Sequence, residues 1–274
     1  MSAIAGIVDF SRQAVEPQQL HAMTAALAHR GPDGINHFLD GSVALAQCML
    51  HTTPESLTEV QPLISVRSGC VLVMDGRFDN WEELRQELQA PQANDVDLAM
   101  LAYERWGADF PGRLDGDFAL ALWDPQQQTL HCSRDIFGRR PFYYHWDGQR
   151  FAFASELKPL LSLPWITKQL NEGMVAEYLG YEWYSRVETF WQGVLRIEPA
   201  HRLAVDAAGP HIAQHWQPDL FSPLRYATDE EYIAHYRNLY EDCVRRISRS
   251  HLPVAYEVSG GLDSSATYAM AVHL

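Results

Sequence analysis

A chain of 274 residues with 47% apolar side chains is long enough for about two domains and a sizeable core. Its 35 acidic against 21 basic residues give a formal charge of −14, which argues against a nucleic-acid backbone or an anionic membrane as the main partner and leaves room for a local nucleotide pocket. No apolar run reaches bilayer-spanning length, and Met1-Ser2-Ala3-Ile4 lacks the basic region of a signal segment, so a cytoplasmic protein is expected.

Residues 3–8 form an apolar run that starts almost at the amino terminus and ends at Asp9, the mark of a first strand buried from its beginning. Helical spacing predicts a helix over 18–27, closed by His29-Arg30-Gly31-Pro32-Asp33-Gly34. Residues 43–50 and 70–74 read as strands, the second running into Asp75-Gly76, and helices are predicted over 81–88 and 97–106. Four short strands follow, over 117–123, 129–133, 142–146 and 150–153, with turns at Asp124-Pro125 and Asp147-Gly148. The pattern is α+β with an antiparallel majority.

The stretch 162–223 is less regular, with one helix over 172–179 and a hairpin around Ala207-Ala208-Gly209, and it is expected to connect two domains. Thr228 and Glu231 then make a capping box that opens a helix with Ile233, Tyr236, Leu239, Tyr240, Val244 and Ile247 on one face. Cys48, Cys70, Cys132 and Cys243 form no Cys-x-x-Cys pair, so buried reduced thiols are expected rather than disulfides or zinc ligands. His211 and His215 stand at ligand spacing without a partner cluster, which favours ordinary surface or core histidines.

Near the C-terminal end, a strand over 254–258, the turn Ser259-Gly260-Gly261-Leu262-Asp263-Ser264-Ser265 and a helix over 266–272 together describe a phosphate cradle. Consecutive glycines let the backbone approach a ligand, and the N–H groups of a helix start point at an anion with the hydroxyls of Ser259, Ser264 and Ser265 beside them. No Lys follows the glycines, which separates this loop from that of the P-loop NTPases. The string resembles the pyrophosphate loop of the ATP-pyrophosphatase superfamily, whose members adenylate a substrate and release pyrophosphate.

Several strings agree in order and spacing with one family: Ile4-Ala5-Gly6-Ile7, His29-Arg30-Gly31-Pro32-Asp33, Asp75-Gly76 with Asn80, Asp115-Gly116-Asp117-Phe118-Ala119, Arg134-Asp135 with Gly138 and Pro141, Ala154-Ser155-Glu156-Leu157-Lys158, and the pyrophosphate-type loop. Together they resemble asparagine synthetase across essentially the whole chain. The resemblance implies an α+β, Ntn-hydrolase-like four-layer αββα domain of the class II glutamine amidotransferase kind over 1–161, a connection over 162–223, and over 224–274 the first part of an α/β ATP-binding domain. It also implies ATP and Mg²⁺ as cofactors, with Ser259, Gly260, Gly261, Leu262, Asp263, Ser264 and Ser265 on the nucleotide and Asp263 as a metal contact.

Three departures fall in the glutaminase site. Working members expose Cys at residue 2, whose thiolate attacks glutamine while the free α-amine handles the proton; here the residue is Ser2. The family's arginine for the glutamine carboxylate is replaced by Met49, which makes no charged pair. The Asn of the family's Asn-Gly oxyanion pair is replaced by Asp75, although Gly76 is kept and Asp95 stands where the family binds the substrate amine. The expectation is a retained scaffold whose glutaminase site, at Ser2, Met49, Asp75, Gly76 and Asp95, does not work.

Without ammonia from glutamine, the resemblance points to family members such as β-lactam synthetases and lasso peptide lactam (isopeptide) cyclases, which join an amine and a carboxylate of one substrate. The expected partner is a peptide or amino-acid-derived carboxylate, with no nucleic acid and no membrane, and a homo-oligomer is left open. A glutamine-hydrolysing asparagine synthetase and a non-catalytic scaffold are the alternatives. Because the synthetase domain of the family continues well past Leu274, little nucleotide binding is expected of residues 1–274 alone.

Overall fold

The computed structural model describes residues 1–274, which divide into two compact units: 1–51 with 58–216, and 52–57 with 217–274. In chain order the elements are β1 (Ala3–Asp9), α1 (Pro17–Ala26), β2 (Gly34–Asp40), β3 (Val43–Met49), β4 (Leu63–Ile64), β5 (Val71–Phe78), α2 (Trp81–Glu87), α3 (Asp95–Trp106), β6 (Gly116–Asp124) and β7 (Thr129–Arg134). There follow β8 (Tyr143–Trp146), β9 (Arg150–Ala154), α4 (Leu157–Leu161), α5 (Glu172–Leu179), β10 (Val194–Arg196), β11 (His201–Asp206), β12 (Gly209–Gln214), α6 (Asp229–Ile247) and α7 (Leu262–His273).

The first unit is built from two six-stranded sheets, ordered β10-β8-β9-β1-β3-β2 and β12-β11-β7-β6-β5-β4, in which the paired strands run antiparallel. Strand periodicity explains the layering, because alternate side chains leave a strand on opposite faces. Ile4 and Val8 of β1 and Val43 and Leu45 of β3 share one cluster with Val71, Val73, Ala119, Ala121 and Trp123 of the other sheet, so these faces pack against each other. The opposite face of β1, with Ala3, Ala5 and Ile7, packs on Met23 and Leu160, while Leu72, Met74, Phe118 and Leu120 pack beneath Leu98 and Ala102 of α3. Helices therefore cover both outer faces, giving the Ntn-hydrolase-like arrangement. Ala44 and Ala46 lie under Leu20 of α1, where small residues let the helix sit close.

Residues 162–216 are not a connection between domains. β10, β11 and β12 fall within them and extend the two sheets, and the first unit runs to Trp216. Their irregular sequence misleads because β10 has only three residues, too few to show an alternating pattern. β2 is a second departure from expectation: it pairs along β3 from Gly34↔Met49 to Asp40↔Val43, yet it is a half-exposed edge strand with Asn36, His37 and Asp40 in it.

The second unit holds α6 and α7. The Thr228 and Glu231 capping box forms as the sequence predicts. Residues 254–258 do not form the predicted strand. A strand needs a hydrogen-bonded neighbour, and this unit contains none; Val254 and Val258 are 45% and 48% exposed. Residues 224–274, over which the start of an ATP-binding domain was expected, form two helices and a loop without a sheet, so no such domain is visible in them. No helix is long and apolar enough to cross a membrane. All four cysteines are free; Cys48, Cys70 and Cys132 are buried, but Cys243 on α6 is exposed.

Candidate functional site

The antiparallel register Ala3↔Cys48 sets Ser2, just ahead of β1, beside the end of β3. The Ser2 hydroxyl accepts the Leu50 N–H at 3.0 Å and lies 3.3 Å from the Leu50 carbonyl, with Met49 Sδ at 3.9 Å. No basic side chain activates this oxygen. Met49 is buried, and its sulfur takes a contact from Gln47 Nε2 at 3.5 Å.

Arg30 leaves the turn after α1 and ties four parts of the chain together. Its Nε donates to the carbonyls of Ser2 at 3.0 Å and Met1 at 3.3 Å, one terminal nitrogen reaches Glu156 at 3.3 Å, and the other reaches Asp75 Oδ2 at 3.2 Å. Asp75 points from β5 into the same place, with its side chain only 2% exposed, and its Oδ1 faces Arg140 at 3.4 Å. Burial pushes the Asp75 carboxyl above the usual carboxylate range, and the Arg140 and Arg30 guanidiniums pull against that shift. The chain's terminal amine lies in the same field: burial lowers it, and Asp75 opposes the fall.

Arg140 is placed by a loop that Asp135 organises. The buried Asp135 carboxylate accepts N–H groups of Phe137, Arg139 and Arg140, each at 3.0 Å. Arg134 braces the same loop, donating to the carbonyls of Arg140 and Ile197 at 2.7 and 2.8 Å. Other sequence signals are also structural. Asn80 bridges the Arg113 carbonyl and the Asp115 N–H, and Ser155 Oγ accepts the Ile4 N–H at 2.9 Å to fix the start of β1. A Cβ on Gly76 would meet the Asp117 carbonyl at 2.5 Å and Phe118 Cα at 2.7 Å, so this glycine is required by strand packing whatever the site does.

The structure thus brings Ser2, Met49 and Asp75 together. Asp95 sits at the start of α3, buried, and accepts the Phe78 N–H at 3.3 Å, so it is joined to the strand that carries Asp75. Residue types alone do not single out Arg140 and give Arg30 and Glu156 no role; the sequence signal for Arg140 is its place between Gly138 and Pro141.

A family model described as a glutamine amidotransferase domain matches residues 1–216. The chain belongs to the glutamine amidotransferase domain family. Its amidotransferase domain therefore includes the segment 162–216 that completes the sheets. Over 99% of its length the chain is 33% identical to asparagine synthetase [glutamine-hydrolyzing] 3 of Bacillus subtilis, of which it covers 45%. A putative asparagine synthetase [glutamine-hydrolyzing] 2 of Methanocaldococcus jannaschii is 28% identical over 97% of the chain and 56% of that relative. The chain accordingly spans about half the length of these curated relatives. Among solved structures, glutamine phosphoribosylpyrophosphate amidotransferase from B. subtilis with ADP and GMP aligns at a TM-score of 0.54 and 16% identity, covering 99% of this chain and 64% of that one. That likeness is one of fold.

Away from the amidotransferase domain, the loop 259–265 is largely exposed. Gly260 has φ +80°, with open space where a Cβ would stand, and α7 begins at Leu262 rather than at 266. The hydroxyls of Ser259 and Ser264 lie 3.0 Å apart, and Gly261 N–H donates to Ser259 Oγ at 3.3 Å. These residues suit an anion at the first turn of α7, whose N–H groups lack helical acceptors. No group of three or more His, Cys, Asp or Glu side chains gathers around Asp263 or elsewhere. His211 pairs with Asp206 at 3.8 Å, and His215 Nε2 donates to the Arg134 carbonyl at 2.9 Å, so the two histidines share no ligand.

Proposed function

We propose that the protein carrying this chain is a cytoplasmic, ATP-dependent amide-bond ligase of the asparagine synthetase type in which the amidotransferase domain does not hydrolyse glutamine. The observation that carries this reading is Asp75, whose carboxylate lies between Arg30 and Arg140 where a glutaminase needs a hydrogen-bond donor for a growing negative charge. Ser2 adds to it, because its hydroxyl is engaged by the Leu50 backbone N–H and carbonyl.

The amine then comes from the substrate itself, and the product is a lactam or isopeptide. The substrate carboxylate takes the AMP group of ATP with release of pyrophosphate, and the amine displaces AMP, so one water is lost from the substrate overall. In this reading residues 259–265 hold the ATP phosphates, Asp263 touches Mg²⁺, and the substrate is a peptide or amino-acid derivative. The first-turn N–H groups of α7 and the open left-handed Gly260 support the phosphate role.

A second reading, a glutamine-hydrolysing asparagine synthetase, is favoured by the names of the relatives. The natural polypeptide that contains this sequence separates the two. Release of AMP and pyrophosphate with a peptide substrate, a product lighter by one water and no glutamate from glutamine are expected. Steady glutamate release from glutamine selects the second reading, and absence of pyrophosphate exchange with any carboxylate leaves a non-catalytic scaffold.

A further inference from the structure

Two guanidiniums meet at one buried point in the amidotransferase domain, and the chain supplies the anion between them. Arg30 and Arg140 have side chains 10% and 13% exposed, and each contacts a different oxygen of Asp75, at 3.2 and 3.4 Å. This is how two arginines would hold a free carboxylate. Arg30 also binds the Ser2 and Met1 carbonyls, so whatever fixes its guanidinium also fixes the amino-terminal residues ahead of β1. Arg140 Nε is buried without a partner, which leaves this arginine dependent on its remaining nitrogens.

We propose that Arg30 and Arg140 form an anion site permanently occupied by the chain's own Asp75, which keeps free carboxylates from the two guanidiniums and turns Arg30 into an anchor for the N-terminus. Deleting the tethered carboxylate leaves Arg140 without its ion-pair partner and Arg30 with Glu156 alone, around a space the size of a small carboxylate. The inference holds whether or not the protein is a ligase, since it concerns only what pairs with the two arginines.

Asp75→Ala tests it with formate and acetate as probes. The melting temperature of the variant is expected to fall by several degrees. Either probe should then recover at least half of that loss in a saturable way, with chloride at equal ionic strength inactive. Wild type and Asp75→Ala/Arg140→Met should show no such gain. An Asp75→Ala protein that melts like wild type, or that ignores both probes, overturns the proposal, as does an equal gain in wild type. If Asp75→Ala is insoluble, its refolding yield with and without formate gives the same decision. Asp75→Asn, which keeps the shape without the charge, is the second variant: aminopeptidase trimming of residues 1–2 should rise several-fold over wild type, and unchanged trimming refutes the anchoring role.

Discussion

Ser2 Oγ accepts the Leu50 N–H at 3.0 Å, so the atom that would have to attack a substrate is held by the backbone at the end of β3. A hydroxyl in that position closes the junction between β1 and β3. It shares its surroundings with Met49 rather than with a charged anchor for glutamine.

Single reversion of the nucleophile is therefore expected to fail. Wild type and Ser2→Cys should release no glutamate from glutamine above background, and Ser2→Cys/Met49→Arg/Asp75→Asn should be the first combination with measurable activity. An oxyanion donor alone contributes about 100- to 1000-fold in rate. Glutamate release by the Ser2→Cys single variant near the rate of the triple variant would show that Asp75 and Met49 do not block the site.

Gly76→Ala separates fold from catalysis. Its Cβ would press on the Asp117 carbonyl and Phe118 Cα, both backbone atoms of the neighbouring strand. The expected cost is about 1–3 kcal/mol or somewhat more, which lowers the melting temperature by roughly 2–4 °C per kcal/mol in a domain of this size. A melt superimposable on wild type contradicts the close approach of β5 and β6.

The buried Tyr103 hydroxyl donates to Asp124 Oδ2 at 2.6 Å. Burial raises the Asp124 carboxyl, but the Tyr103 hydroxyl and the N–H groups of Gln127 and Gln126 lower it by more, and the net position is below the ordinary carboxylate range. A depressed folded-state pKa contributes stability that is full above the unfolded value of about 3.9 and is lost as pH falls through the folded value. Tyr103→Phe should thus be less stable than wild type at pH 7, by about 1.5–3 kcal/mol as befits a hydrogen bond to a charged group. The gap should narrow below roughly pH 4, where Asp124 takes up its proton. Urea midpoints at pH 7 and at pH 3 check this, and a gap that widens in acid contradicts it.

Residues 1–274 are expected to bind MgATP weakly or not at all. The loop 259–265 is largely exposed, and its own unit contains no sheet to form the other wall of a nucleotide pocket. Titration calorimetry of this chain decides the point, and a low-micromolar affinity is the outcome that contradicts it.

The strands and helices of the two cores were legible in the sequence, because β1, β3, β5 and β6 alternate or run apolar over enough residues to fix which faces are buried. The residue types at Ser2, Met49 and Asp75 were legible too, and with them what each side chain can do chemically. Only the tertiary structure decided which groups those residues contact. Arg30 and Arg140 reach Asp75 from separate loops, and no local pattern encodes a pairing made across the space between two sheets. The same reason governs the strands. β10 and β12 exist because neighbouring strands accept them at the sheet edges, whereas residues 254–258, with a better strand sequence, have no neighbour in their unit and stay unpaired. A sequence carries the preference of a segment, and hydrogen bonding and charge pairing need a second partner that only the fold supplies.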